Sequence, residues 1–423
     1  MVYDFDKIIP RRGSSCVKWD AELHGVRVNA ADPSLEEAGF KASDVIPLWV
    51  ADMDFECAPF IKAALQKRLD HGVFGYEHVP DSTYESAVNW FGKKHGWKIE
   101  KDWILYTLGG VPALSAVVKA MTEPGDKVVI LPPVYNCFYS SIKNNGCGLL
   151  ESRLSYVRED GQMTYRIDYS DLEEKCADPA AKLMIFCNPH NPAGRVWTSE
   201  EMTKVAEIAR RHKVAVFSDE IHSEIVSPGC RYTPFAAIDQ ENCISLVSSS
   251  KSFNTAGLQF ALIVTSNPAW HKDIDKALNV NEVCDVSPFG PISMEAAFTK
   301  EGEEWLDQMN AYVHGNYLAL CEAFAKDLPD FPVVKLEGTY LAWADIKALT
   351  RRGTSPLTST QVEEELYAHE AVWINAGSMY GDGDFIRINL ATQHKTFAVG
   401  LRRLVHGLRR LLNSVDGNSS GRL

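Results

Sequence analysis

Residues 183–217 read LMIFC from Leu183 to Cys187, SEEMTKVAEIARRH from Ser199 to His212 and VAVF from Val214 to Phe217. The two outer runs are short, almost continuously apolar and rich in branched side chains, the pattern of strands buried on both faces. Between them, Met202, Val205, Ile208 and Ala209 fall on one helical stripe. Ser199 stands where an N-cap is expected, and Arg210, Arg211 and His212 suit the negative end of the helix dipole. Strand, helix, strand at this spacing predicts a mostly parallel sheet covered by helices, an α/β fold in three layers.

Working outward, similar runs lie at Val128–Leu131, Ile244–Val247 and Ala261–Thr265, and Ile104–Tyr106 is strand-like. A helix follows Pro291 over 292–299, and a longer one spans 302–325. Beyond Pro332 the pattern changes. Val333–Leu336, Thr339–Trp343 and Phe385–Leu390 read as strands, with helices over 361–369 and 396–412, which predicts a smaller α+β domain. The expected division is an N-terminal segment, 1–45, packed on the small domain, a large domain over 46–295, the small domain over 296–412 and a frayed tail over 413–423.

The 423 residues are 45% apolar and 23% charged with a net charge of −13, enough apolar surface for a sizeable core. The acidity is diffuse, which argues against nucleic acid and anionic membrane as partners and suits a small-molecule ligand. Ten cysteines are scattered without a C-x-x-C pair, so neither a disulfide framework nor a structural zinc is expected. With no basic leader and no run near the ~18 apolar residues of a membrane span, a cytoplasmic protein is expected.

Several residues stand where chemistry is done. Lys251 follows the Ile244–Val247 run and Asp219 closes the Val214–Phe217 run, both at the rim where α/β sheets bind ligands. A lysine and an aspartate delivered by two strand ends suit pyridoxal phosphate. The amine bonds the aldehyde, and the carboxylate keeps the pyridine nitrogen protonated. Ser248 and Ser250 offer hydroxyls for a phosphate. Gly109-Gly110 opens a helix whose first N–H groups suit an anion. Asn191, in the turn Asn191-Pro192-Ala193-Gly194, can reach the ring oxygen, and Tyr135 can stack on the ring. Arg387 alternates with apolar residues in a strand, where its guanidinium wants a carboxylate such as that of an amino acid.

Taken together, these residues resemble the fold-type-I pyridoxal-phosphate enzymes, the aspartate aminotransferase superfamily. Within it the chain is most similar to the MalY/PatB group of C–S β-lyases, often called cystathionine β-lyases. The strings that carry the resemblance include Lys18-Trp19-Asp20, Trp49 to Phe55 (WVADMDF), Phe74-Gly75-Tyr76, Asn188 to Trp197 (NPHNPAGRVW), Ser218 to His222 (SDEIH), Thr233-Pro234-Phe235 and Ser250 to Gly257 (SKSFNTAG). The resemblance implies Lys251 as the catalytic lysine and Asp219 as partner of the pyridine nitrogen. It implies Asn191 at the ring oxygen, Tyr135 stacked on the ring, and Gly110, Val111, Ser248 and Ser250 at the phosphate. His222 would lie beside the cofactor, and Tyr76 would reach the phosphate in the neighbouring subunit of a homodimer with composite sites. Arg387, with Asn191 and backbone at Val50, would hold the substrate carboxylate.

Three departures matter. His222 stands where general aminotransferases commonly have tyrosine, which leans towards the lyases. Gln259 replaces an arginine often used for phosphate. Asn136-Cys137-Phe138 departs from the lyases' usual proline before the phenylalanine. The expected reaction is α,β-elimination from L-cystathionine or a related cysteine conjugate, giving a thiol, pyruvate and ammonia. Aminotransfer between an L-amino acid and a 2-oxo acid remains the alternative.

Overall fold

The computed structural model of the protein describes residues 1–280, 285–353 and 355–417. A seven-stranded sheet organises its larger part. The strands are β1 Ile104–Thr107, β2 Lys127–Ile130, β3 Gly148–Glu151, β4 Ala181–Cys187, β5 Ala215–Asp219, β6 Cys243–Val247 and β7 Ala261–Val264. Their order is β1-β7-β6-β5-β4-β2-β3. Neighbours pair in parallel except at β7, which is antiparallel to both β1 and β6.

Alternation along the strands feeds two separate cores. Val128, Ile130, Leu183, Ile185 and Phe217 face the helices Gly110–Met121, Asn136–Asn144 and Pro268–Asn279. Val129, Met184, Phe186 and Val216 face the opposite way and pack with Met202, Val205 and Ala209 of the helix Ser199–Arg211. Both faces are dry, so the strands read as continuous apolar runs. Thr198 rather than Ser199 caps that helix. Its hydroxyl accepts from Glu201 N–H at 3.2 Å, and Glu201 accepts the Thr198 N–H at 2.9 Å. This reciprocal box satisfies two amides that Ser199, one residue later, would leave open.

A second, antiparallel sheet of Leu341–Asp345, Phe385–Asn389 and Asn375–Ala376 lies in the C-terminal part, flanked by the helices Lys300–Asp327, Ser359–Glu370 and His394–Val415. The run Val333–Leu336 is not a strand. Val334 N–H donates to Trp343 O, Lys335 N–H to Met163 O and Leu336 N–H to the Tyr317 hydroxyl, so its backbone serves three partners instead of one ladder. Among the strands that went unpredicted are edge strand β3, whose Leu149 is exposed, and the hairpin Ser155–Glu159 with Gln162–Arg166. Neither carries the fully buried pattern of the central strands. The expected tail from 413 also begins too early. Buried Leu411 and Val415 carry the last helix to Val415, and residues 418–423 lie outside the described residues, as does Cys284.

Several contacts tie the first residues to the C-terminal part. Ile46–Pro47 pairs in parallel with Val372–Trp373, and the buried Arg403 donates to the carbonyls of Leu35, Lys41 and Asp44. Phe5 also packs on Phe55, Trp305 and Tyr312, with ring centroids 5.1, 5.5 and 5.4 Å away.

Candidate active site

Parallel pairing brings the ends of β4 (Cys187), β5 (Asp219) and β6 (Val247) to one edge of the sheet. From β6 the chain turns through Ser248–Ser250 to Lys251. Beyond β1, Gly109 adopts φ +114°, a conformation open to glycine, and starts the helix Gly110–Met121 at the same edge. A Cβ on Gly110 would come 2.8 Å from Ile221 Cδ1, so the helix start comes close to the chain leaving β5 because this residue has no side chain.

A cavity of about 240 Å³ opens there, lined by Gly110, Val111, Tyr135, Asn191, Asp219, His222, Ser250 and Lys251 among others. Eight residues picked out in the sequence therefore share one space. Arg387 stands behind Asn191, donating from Nη1 to Asn191 Oδ1 at 3.3 Å and from Nη2 to Trp49 O at 2.9 Å. Its guanidinium lies 4.6 Å from the Tyr380 ring centroid. Its Nε is buried without a partner, as is Nδ1 of His222.

Three further residues do not line this cavity. Ser248 is buried with its hydroxyl already engaged, donating to Phe260 O at 2.7 Å and accepting from Ser250 N–H at 3.0 Å. It shapes the turn that presents Ser250 and Lys251. Tyr76 is 94% exposed on the loop between the helices Pro59–His71 and Asp81–His95. Val50 does not line the cavity, whereas its neighbour Ala51 does.

Burial governs the electrostatics. It pushes the Asp219 carboxyl up to about 6, against the Ile221 N–H and the Lys251 charge, which pull it down. A buried carboxylate in this position is short of a cation, and a protonated ring nitrogen would supply one. Burial also lowers the Lys251 amine from its ordinary value, with Arg387 acting in the same direction and Asp52 and Asp219 opposing. His222 is held well below the usual imidazole range by burial and then by the charges of Lys251 and Arg387, so it is neutral. The donor set thus fits pyridoxal phosphate. It offers an amine for the aldehyde, a carboxylate for the ring nitrogen, a hydroxyl and a helix start for the phosphate, and a guanidinium for a substrate carboxylate.

Sequence reasoning missed the support beneath the lysine. Every carbonyl from Trp49 to Phe55 accepts a hydrogen bond from a side chain. Asn375 joins Arg387 at Trp49, Asn389 serves Val50 and Asp52, and Lys251 and Tyr340 share Ala51. Arg11 and Asn254 share Met53, Gln393 serves Asp54, and Asn254 reaches on to Phe55. The WVADMDF string was recognisable in sequence, but its partners, scattered over nearly the whole chain, carried no local signal.

A sheet-edge cavity shared by a half-buried lysine and a buried aspartate defines the class as an α/β enzyme of the pyridoxal-phosphate type. The family model described as aminotransferase class I and II matches residues 43–404, and the chain belongs to that family. It is 37% identical over 409 residues to the cystathionine β-lyase PatB of Bacillus subtilis (strain 168), covering 95% of this chain and 98% of that protein. The crystal structure of cystalysin from Treponema denticola, which contains pyridoxal 5′-phosphate, superposes with a TM-score of 0.86 at 32% identity, covering 97% of this chain and 100% of that one. The pyridoxal-phosphate-bound C–S lyase from Staphylococcus hominis gives a TM-score of 0.83 at 30% identity, covering 96% and 99% of the two chains.

Proposed function

We propose that this chain is a pyridoxal-phosphate-dependent C–S β-lyase that cleaves L-cystathionine or a related cysteine S-conjugate. With water, the products of L-cystathionine are homocysteine, pyruvate and ammonia. The observation that carries the reading is the single cavity joining Lys251, Asp219, Asn191 and neutral His222 in a chain 37% identical to a cystathionine β-lyase.

Pyridoxal phosphate, when bound, supplies the electron sink that makes the substrate α-proton acidic. Lys251 would bond the cofactor's aldehyde, and its amine, when free, would take the substrate α-proton at Nζ. Its burial favours the neutral amine that a base must be. Asp219 holds the proton on the ring nitrogen. Asn191 spends Oδ1 on Arg387, which leaves its amide N–H groups to donate to the ring oxygen. Arg387 takes the substrate carboxylate, and its unpartnered Nε marks unused donor capacity. The N–H groups of Gly110 and Val111, together with the Ser250 hydroxyl, would hold the phosphate. His222 adds no charge next to the lysine.

The test is product analysis with L-cystathionine and no added 2-oxo acid. Pyruvate and a free thiol in equal amounts are expected. A strict requirement for a 2-oxo acid would instead make the chain an aminotransferase.

The same reading includes a homodimer in which Tyr76 completes the neighbour's phosphate site. Its support is the exposure of Tyr76 together with Val73 and Phe74 on one loop. Mixing Tyr76→Ala with Lys251→Ala protein should restore about a quarter of the activity through hybrid dimers, and no recovery would rule out the shared site. The free cysteines among the described residues support a reducing, cytoplasmic location, and none of the described helices is long and apolar enough to cross a membrane.

A further inference from the structure

We propose that the Ala51 carbonyl is the acceptor of the Lys251 amine whenever that amine is free of the cofactor, and that Tyr340 and Arg11 are the positioning residues that make it so. The inference rests on the reading of Lys251 as the residue that bonds the cofactor.

Ala51 O accepts from Lys251 Nζ at 2.8 Å and from the Tyr340 hydroxyl at 2.9 Å. A carbonyl has two lone pairs, and here both have a donor. Tyr340 is fully buried, with its ring edge-on to His222 at 5.8 Å, so its hydroxyl points in one direction. Peptide planarity then turns the Ala51 carbonyl as a rigid unit. The neighbouring carbonyls are tethered as well, so the group that receives the lysine cannot swing away.

The next residue could defeat this arrangement. Asp52 carries a carboxylate in electrostatic reach of Lys251. An amine paired with that carboxylate would stay charged and could not take a proton. Arg11, from the N-terminal segment, occupies both its oxygens, with Nη2 to Oδ2 at 2.6 Å and Nη1 to Oδ1 at 3.2 Å, and Lys18 Nζ adds a longer contact to Oδ1 at 3.6 Å. The same guanidinium reaches Asp54 at 2.7 Å and Met53 O at 2.9 Å, which fixes it across the segment. Lys251 is left with a neutral acceptor, to which it can donate whether charged or not. The other groups facing the amine are Asp219, Arg387, Cys137 and His222.

Two variants test the arrangement. Tyr340→Phe removes one oxygen and keeps the ring. It should load the cofactor and melt as a folded protein. Exchange of the substrate α-proton with solvent should slow by about tenfold or more at saturating substrate, with KM little changed, as expected when a base loses its alignment. In cofactor-free Arg11→Gln protein, the pH midpoint for modification of Lys251 by an amine-directed reagent should rise, because Asp52 then keeps only its 3.6 Å contact with Lys18 and more of its charge favours the ammonium. Exchange at the wild-type rate in Tyr340→Phe, or an unchanged midpoint in Arg11→Gln, overturns the inference. If Tyr340→Phe does not fold, Arg11→Gln decides alone. The lysine reading itself fails separately, if Lys251→Ala keeps the visible band of the bound cofactor.

Discussion

The strand ends and the segment from Trp49 to Phe55 reach the same lysine by opposite means. β4, β5 and β6 satisfy their backbone in a ladder and offer side chains or the turns that follow them. Trp49 to Phe55 pairs in no ladder and offers backbone, its seven carbonyls held by side chains from the N-terminal segment, the lysine turn and the C-terminal part. A strand tolerates side-chain exchange as long as volume and polarity are kept, because its hydrogen bonds are main chain to main chain. The irregular segment depends on individual donors, since each buried carbonyl that loses one costs about 1–3 kcal/mol.

The largest expected effect falls on the strand-delivered chemistry. Lys251→Ala should abolish the visible band of the bound cofactor and lower turnover by about 10⁴-fold or more, as checked by absorbance and a pyruvate assay. Turnover within tenfold of wild type would remove the lysine from the mechanism. Arg387→Met joins the two regions, since Arg387 touches both Asn191 and Trp49 O. It should lower kcat/KM by about a hundredfold, the worth of charge-assisted hydrogen bonds to a substrate carboxylate, and an unchanged kcat/KM would place the substrate elsewhere.

Smaller effects separate the two kinds of construction. Asn254→Ala removes the side-chain donor to Phe55 O, one of the two donors to Met53 O and the acceptor for Met53 N–H. Denaturant unfolding should show a loss of about 3 kcal/mol, whereas Ile185→Val in the fully buried β4 should cost about 1 kcal/mol. If the strand change costs more than the segment change, the contrast fails.

The next effect depends on pH. Glu220, buried behind Asp219, has a carboxyl pushed up to about 7 by burial, from an ordinary 4.5. The unfolded chain therefore loses this proton first as pH rises. The stability associated with the protonated form is complete below about 4.5 and is lost as pH climbs through about 7. Glu220→Gln should match wild type near pH 4 and exceed it by up to about 3 kcal/mol at pH 8. Equal stability at both pH values would mean that Glu220 is ionised in the fold.

Much of this protein was determined by sequence alone. Buried strands flanked by amphipathic helices follow from local periodicity, and local periodicity is written in neighbouring residues. The strand-end positions of Lys251 and Asp219, and the glycines before the helix Gly110–Met121, were legible for the same reason. Tertiary structure alone decided the rest. Ser248 was readable as a phosphate ligand until Phe260 O was seen to hold its hydroxyl. Val333–Leu336 was readable as a strand until three separate partners took its backbone. Tyr340 and Arg11 gave no signal, because they lie 289 and 40 residues from Ala51 and its meaning comes only from their convergence. Hydrogen bonds in an irregular buried segment join residues that share no period, and only the folded chain places them side by side.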